Sequence, residues 1–204
     1  MFGILVGIFE VVKTAVSIVS SLSTTLGKGL ISFSNMLNGF LVGLGLIKEE
    51  NDVNTLGDKK IKATESGVVP EKYSTYGDYL KALEDFEVDP ERSLEISDDE
   101  KLKAGTQTQL EILVDKFGPD VVKDMSDLMA KNLDYFEKRA PLYAEVQVSD
   151  SDFIPNVTQT ILGKESDIEK YENTLDKMCE IEKKVEPEKS IIDVLNDIKK
   201  MQGE

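Results

Sequence analysis

The sequence contains no histidine and no tryptophan, and it has one cysteine among 204 residues. Histidine is the commonest general base and zinc ligand, so its absence excludes Ser-His-Asp and Cys-His catalysis and removes the usual pH switch. A single cysteine, Cys179, excludes an intrachain disulfide and is typical of a reducing compartment or of a chain that needs no covalent staple. An enzyme would have to use carboxylate, lysine or tyrosine chemistry, or a metal held by oxygen ligands alone.

The sequence also lacks the motifs that hold phosphates, dinucleotides or structural metals. It has no Gly-Lys-Ser/Thr phosphate loop, no glycine fingerprint after a strand and no paired-cysteine motif. Acidic clusters at residues 84–91, 98–100 and 150–152 offer oxygen ligands to Mg²⁺ or Ca²⁺. Helix caps, linkers and solvated faces of a very acidic chain explain these clusters better. We therefore predict no cofactor, no metal site and no enzymatic activity.

Positive charge is scarce, with 24 Lys and Arg against 39 Asp and Glu and a net charge of −15. The basic residues do not form a patch with interleaved aromatic residues. Because affinity for nucleic acid comes mainly from clustered Lys and Arg, we predict no nucleic-acid partner.

Charge of either sign is nearly missing from residues 1–47, where Glu10, Lys13 and Lys28 are the only charged residues. Apolar residues recur at helical spacing and cover well over half of the helix circumference. We expect an apolar helical pair here, either a hairpin or one long helix bent at Gly27 and Gly29. Each half has about 20 residues, which is the length that a ~30 Å hydrocarbon core requires. The acidic remainder of the chain is not expected to cover this surface, so we expect membrane lipid or a homo-oligomer core to do so.

Small and polar side chains follow one narrow stripe of the first helix and one side of the second. Two Gly-x-x-x-Gly pairs have the spacing that lets helix backbones approach closely. Glu10 and Lys13 lie one turn apart and could form an ion pair. The candidate oligomer or membrane interface consists of Gly3, Gly7, Glu10, Lys13, Thr14, Ser17, Ser21, Asn35, Asn38, Gly39 and Gly43.

The rest of the chain divides into a linker over residues 48–72, where Asn, Gly and Pro break any apolar period, and an acidic α-helical domain over residues 73–204. We expect a chain that starts at Lys48 to be soluble and helical. The fold class is therefore all-α, with the apolar pair followed by a bundle-like body of antiparallel helix hairpins.

Local signals place the helices of the body. Ser97 and Glu100 match a capping box that opens a helix to Phe117, and Gly118-Pro119 separates that helix from the next. We expect the second helix of this hairpin to run to about Lys138. The other helices are expected to begin at Ser74, at Phe153 before the stop at Gly163, at Ser166 and at Pro187, with a less regular segment over residues 139–164.

These features predict a non-enzymatic structural or assembly protein, such as a virion or secretion component, that is anchored or oligomerises through residues 1–47. Two alternatives stay open: a pore-forming or membrane-active secreted protein, and a membrane-anchored adaptor that binds a partner through residues 166–201. No basic residue precedes the apolar run and Glu10 interrupts it, so we expect no cleavable signal peptide. The protein is expected at a membrane, with the acidic body in the cytoplasm, or inside a multi-protein particle.

Overall fold

The fold is all-α, as predicted. A computed structural model describes residues 2–203, with side chains described from residue 7 onward. Within residues 2–203 there is no strand. The α-helices of this range are α1 (Phe2–Leu26), α2 (Leu30–Gly43), α3 (Val53–Glu65), α4 (Tyr76–Glu84), α5 (Pro90–Ser93), α6 (Asp98–Phe117), α7 (Pro119–Lys131), α8 (Leu133–Glu137), α9 (Ala140–Ser149), α10 (Phe153–Ile161), α11 (Ile168–Val185) and α12 (Ile191–Gln202).

Helices α1 and α2 form the long bent helix, not the hairpin. A 3₁₀ turn, Gly27–Gly29, joins them, and Gly27 has a φ of 51° that favours glycine. Both helices contact α6, but their other neighbours differ: α1 packs against α7 and the 3₁₀ turn Pro70–Lys72, and α2 packs against α8 and α9. The apolar helix from Gly7 to Gly43 is 37 residues long.

Helix α6 lies at the centre of the molecule, in contact with α1, α2, α3 and α7. Its middle section is buried on every side, although it carries polar side chains. Two of these pair with the polar side of α2: the Thr106 and Ser34 hydroxyls are 2.6 Å apart, and Gln109 Nε2 donates to Asn38 Oδ1 at 3.0 Å. The polar side of α2 therefore faces the protein's own central helix.

The expectation that residues 1–47 need an external cover is wrong for α2. Except for Ile31, which is 54% exposed, its large apolar side chains are enclosed by α6, α8 and α9 of the same chain. They belong to the main hydrophobic core together with residues of α3, α4, α6, α7 and the helices that follow. The buried apolar residues of α2 are Leu30, Phe33, Met36, Leu37, Phe40 and Leu41.

The linker expected over residues 48–72 contains a helix, α3, so that assignment is corrected for residues 53–65. The Asp52 side chain caps α3 by accepting a hydrogen bond from the Thr55 amide at 2.7 Å. Helix α3 packs against α6 with the two backbones in close approach. A Cβ on Gly57 would overlap the Lys101 carbonyl, and a Cβ on Gly105 would overlap the Val53 carbonyl.

The predicted boundaries around α6 are confirmed. Ser97 and Glu100 form the reciprocal capping box at its start. At its end Gly118 has a φ of 83°, and Pro119 occupies the first turn of α7. These signals are purely local, which is why the sequence alone was sufficient to place them.

Other boundaries differ from those expected. Helix α7 ends at Lys131, because Asn132 leaves the helical conformation and its Nδ2 donates to the Leu128 carbonyl at 2.9 Å. The first part of the segment expected to be irregular forms α9, since Pro141 lies in the first turn of α9 and does not interrupt a helix, whereas α10 begins at Phe153 as predicted. Three N-caps fall later than expected: Thr75 in place of Ser74, Asp167 in place of Ser166, and Ser190 in place of Pro187. Gly163 follows α10 with a positive φ, as predicted.

The contact between α3 and α6 leads to a stability prediction. Replacing Gly57 or Gly105 with alanine should lower the free energy of unfolding by about 3 kcal/mol or more, because the added methyl forces two helix backbones apart. Gly39→Ala is the matched control, since a Cβ at Gly39 meets nothing within 4 Å and alanine gains up to about 1 kcal/mol of helix propensity. Urea unfolding followed by circular dichroism measures all three. Equal stabilities would show that the two helices do not approach as described.

The shared core leads to a second prediction, which replaces the earlier one. A chain that starts at Lys48 should lose cooperative folding, because it lacks the apolar side of α2 and leaves the polar groups of α6 without partners. Thermal unfolding and size-exclusion chromatography would report this as a broad transition and aggregation. A soluble, cooperatively folded monomer would show that α1 and α2 are dispensable for the core.

Candidate interface on the first helix

Helix α1 is buried along one face only. The side chains of this face recur every three or four residues and pack against α6 and α7. The remaining circumference faces outward and carries two different rows, one polar and one apolar. The buried residues are Ile8, Val11, Ala15, Ile18, Val19 and Leu22.

The polar row of α1 forms one wall of a groove whose other wall is the first half of α7. The groove has a volume of about 360 Å³. It brings together five candidate residues from the sequence, namely Glu10, Lys13, Thr14, Ser17 and Ser21, opposite Pro119, Asp120, Lys123 and Asp127. The wall on α7 was not predicted, because nothing in the sequence indicates that α7 lies beside α1.

The groove carries charges of both signs. Glu10 and Lys13 on α1 face Asp120, Lys123 and Asp127 on α7. Among the residues that the structure describes, none of these five side chains takes part in an ion pair within 4.0 Å. The pair expected between Glu10 and Lys13 is therefore not formed. These charges remain available to solvent or to a partner.

The apolar row lies on the opposite edge of the exposed surface. Phe9 is 62% exposed and Val16 is 47% exposed, and the half-buried Val12 lies between them. In the sequence, all apolar positions of α1 follow the same helical pattern. The distinction between the buried face and this outer row needs the tertiary structure.

The candidate residues of α2 do not form one exposed surface. Asn38 accepts a hydrogen bond from Gln109, and a Cβ on Gly43 would lie 2.8 Å from the Cβ of Ala144 in α9. These two residues therefore act as contact points inside the molecule. Asn35, Gly39 and Gly7 are exposed. Gly3 lies outside the residues whose side chains the structure describes.

A buried ion network on the far side of the molecule was not predicted. Arg139 Nη2 donates to Glu182 Oε2 at 2.6 Å, Tyr135 donates to Glu182 Oε1 at 2.7 Å, and Lys189 Nζ lies 2.9 Å from Glu182 Oε2. The Arg139 guanidinium also stacks on Tyr135, 4.0 Å from the ring centre. The network fastens α11 and the turn before α12 to α8 and α9.

The environment of Glu182 pushes its pKa in two directions. Burial alone would raise the pKa, but hydrogen bonds from Arg139, Lys189 and Tyr135 outweigh it and hold the pKa of Glu182 below its usual range. The charge-paired carboxylate therefore stabilises the fold as long as it stays ionised.

A second buried network joins α3 and α4 to α6 around Glu111. Its carboxylate receives hydrogen bonds from Lys60 at 2.6 Å, Gln107 at 2.7 Å and Tyr76 at 3.0 Å. Burial lowers the pKa of Lys60 and outweighs the opposite effect of the nearby Glu111 carboxylate. Burial and the same carboxylate together raise the pKa of Tyr76. Glu111 is fully buried, so this network holds helices together and gives no substrate access to its carboxylate.

Neither a metal cluster nor a known relative assigns a function to these surfaces. Over the described residues, no group of three or more His, Cys, Asp or Glu side chains is placed to hold a metal ion. No protein-family model, no curated protein and no solved structure matches the chain. Function has therefore to be inferred from the exposed surface of α1.

The Glu182 network leads to a prediction for stability and its pH dependence. Glu182→Gln should cost about 3 kcal/mol at pH 7, because Arg139 is then buried without its charged partner. The folded pKa of Glu182 lies below the unfolded value of about 4.3, so its contribution is present above that pH and lost as the pH falls through the folded pKa. Urea unfolding between about pH 3 and 7 measures this. The difference in the free energy of unfolding between variant and parent should become smaller at acid pH.

Glu186→Gln is the control for this measurement. Glu186 also reaches Arg139, at 3.2 Å, but its side chain is 54% exposed. Glu186→Gln should therefore lower the free energy of unfolding by less than about 1 kcal/mol. A loss as large as that for Glu182 would contradict the assignment of the buried pair as the main contact.

Proposed function

We propose that the protein is a non-enzymatic assembly protein that joins a larger structure through the outward surface of α1. The observation that carries the proposal is the row in which Phe9, 62% exposed, and Val16, 47% exposed, flank Val12 on one side of one helix. Isolated exposed apolar residues are ordinary on soluble proteins, but a contiguous row bordered by polar residues is typical of an interaction surface.

The neighbourhood of the row supports the same role. The polar groove at the opposite edge of the exposed surface of α1 carries charges of both signs that form no ion pair among the described residues, so a partner that covers the row would meet polar groups at the rim of the contact. By contrast, the two buried networks are built from fully partnered groups inside the fold. They serve stability, and a surface role for α1 needs no catalytic group.

A membrane-active protein is the second candidate function. The helix from Gly7 to Gly43 is long and apolar enough to cross a bilayer, and a span would place the acidic body on one side, which we would assign to the cytoplasm. Full insertion, however, requires α2 to leave the core and breaks the contacts of Ser34 and Asn38 with α6. Docking through the outer row of α1 keeps the folded core intact, so we favour it.

The adaptor alternative has less support. The apolar rows of α11 and α12 pack against α9, α10 and each other, so residues 166–201 have an intrachain partner. Their exposed apolar residues lie at the helix starts: Ile168 is 75% exposed, Ile191 51% and Ile192 66%. A partner surface there would have to be built on these isolated positions.

The assembly role is tested by light scattering coupled to size exclusion, on the full chain over a range of concentrations. We expect detergent-independent association that Phe9→Glu reduces at least tenfold, because burying a charge in place of a phenyl ring costs more than about 1.4 kcal/mol. Leu94→Glu is the control: Leu94 is 86% exposed but outside α1, so its replacement should change nothing.

Other outcomes separate the candidate functions. Dye leakage from liposomes that stops with Phe9→Glu would support the membrane-active protein. A full chain that stays monomeric at all concentrations and leaves liposomes intact would overturn the assembly proposal.

A further inference from the structure

The outer row of α1 has the spacing of a helix-pairing seam. Phe9, Val12 and Val16 are separated by three and four residues, and Leu5 and Phe2 continue the same spacing in the sequence. An alternation of three and four gives a mean repeat of 3.5 residues, which keeps apolar side chains facing one neighbouring helix. The row is narrow, as a helix partner requires, whereas insertion into lipid favours a broad apolar face.

The charge of α1 differs from that of the rest of the molecule. Glu10 and Lys13 cancel, so Phe2–Leu26 has no net charge, while the chain as a whole carries −15. Two copies of such an acidic protein repel each other over most of their surface. Because α1 has no net charge, two copies can approach each other along this helix with less electrostatic repulsion than along the rest of their surface.

From these observations we infer that the partner of the outer row is a second copy of this chain, with the two α1 helices packed along each other. The inference rests on the proposed function and names the partner of that surface. Such a pair is self-complementary, because the same patch serves both subunits and the interface closes as a dimer.

The same observations disfavour a lipid partner. Helices that lie on anionic membranes carry several Lys or Arg residues on their polar face, and here Lys13 is the one basic residue of α1. The acidic body would also be repelled by anionic headgroups.

The size of the seam sets the expected strength of association. The row from Phe2 to Val16 covers 15 residues, or roughly 22 Å of helix, so it buries well under the roughly 800 Å² per copy of a standard interface. The dimer should therefore depend on concentration. Because net repulsion opposes it, raising the salt concentration from about 20 to about 500 mM should strengthen it several-fold.

Disulfide cross-linking of the full chain tests the seam directly. In a Cys179→Ser background, Phe9→Cys, Val12→Cys and Val16→Cys are oxidised singly and in pairwise mixtures, and we expect covalent dimers. Phe9→Cys and Val16→Cys that each cross-link with themselves indicate parallel helices, and cross-linking between Phe9→Cys and Val16→Cys in the mixture indicates antiparallel ones, while Val12→Cys can cross-link with itself in either arrangement. Ser21→Cys, exposed on the opposite edge of the helix, is the control and should stay monomeric.

The outcomes separate this inference from the proposed function. Association that Phe9→Glu abolishes, without cross-linking at any of the three row positions, would overturn the helix pair and leave the assembly role standing. Flotation with neutral phosphatidylcholine vesicles, without cross-linking in solution, would overturn the inference in favour of lipid. Monomeric behaviour without vesicle binding would overturn both.

Discussion

The backbone contact between α3 and α6 fixes the geometry on which the other helices depend. Gly57 and Gly105 bring the two helices so close that no side chain fits between them. Helix α6 therefore packs against α3 on one side and against α1, α2 and α7 on its other sides. Because it is enclosed, each polar group along it needs a hydrogen-bond partner inside the protein, and an unsatisfied one would cost about 1–3 kcal/mol. The partners of Thr106, Gln109 and Glu111 therefore specify how α2, α3 and α4 are oriented.

This central helix also explains where sequence reasoning succeeds and where it fails. The capping box at Ser97 and the Gly118-Pro119 boundary are local chemistry, so they could be predicted. The burial of α6 could not, because a Thr or Glu that is buried with a partner has the same sequence pattern as one on a solvated face. Helix α3 was missed for the same reason: Gly57 suggested a linker, whereas it serves close packing.

The candidate interface was predicted in part for a related reason. Helix α1 is apolar around most of its circumference, so periodicity identifies its polar stripe but not which apolar side meets the body. The stripe from Glu10 to Ser21 does line an outward groove. On α2 the candidate residues point in different directions: Asn38 points toward Gln109 inside the molecule, whereas Asn35 and Gly39 are exposed.

The difference between α1 and α2 follows from how many neighbours each one has. Helices α6, α8 and α9 cover most of the apolar side chains of α2, while α1 is buried along one face, against α6, α7 and the 3₁₀ turn Pro70–Lys72. A helix that is apolar around most of its circumference and covered on one face leaves apolar side chains in water. Here these are Phe9 and Val16 of the outer row. A second copy of α1, as proposed, would supply the missing cover. A surface that is narrow, neutral and regularly spaced is best matched by a helix of the same kind.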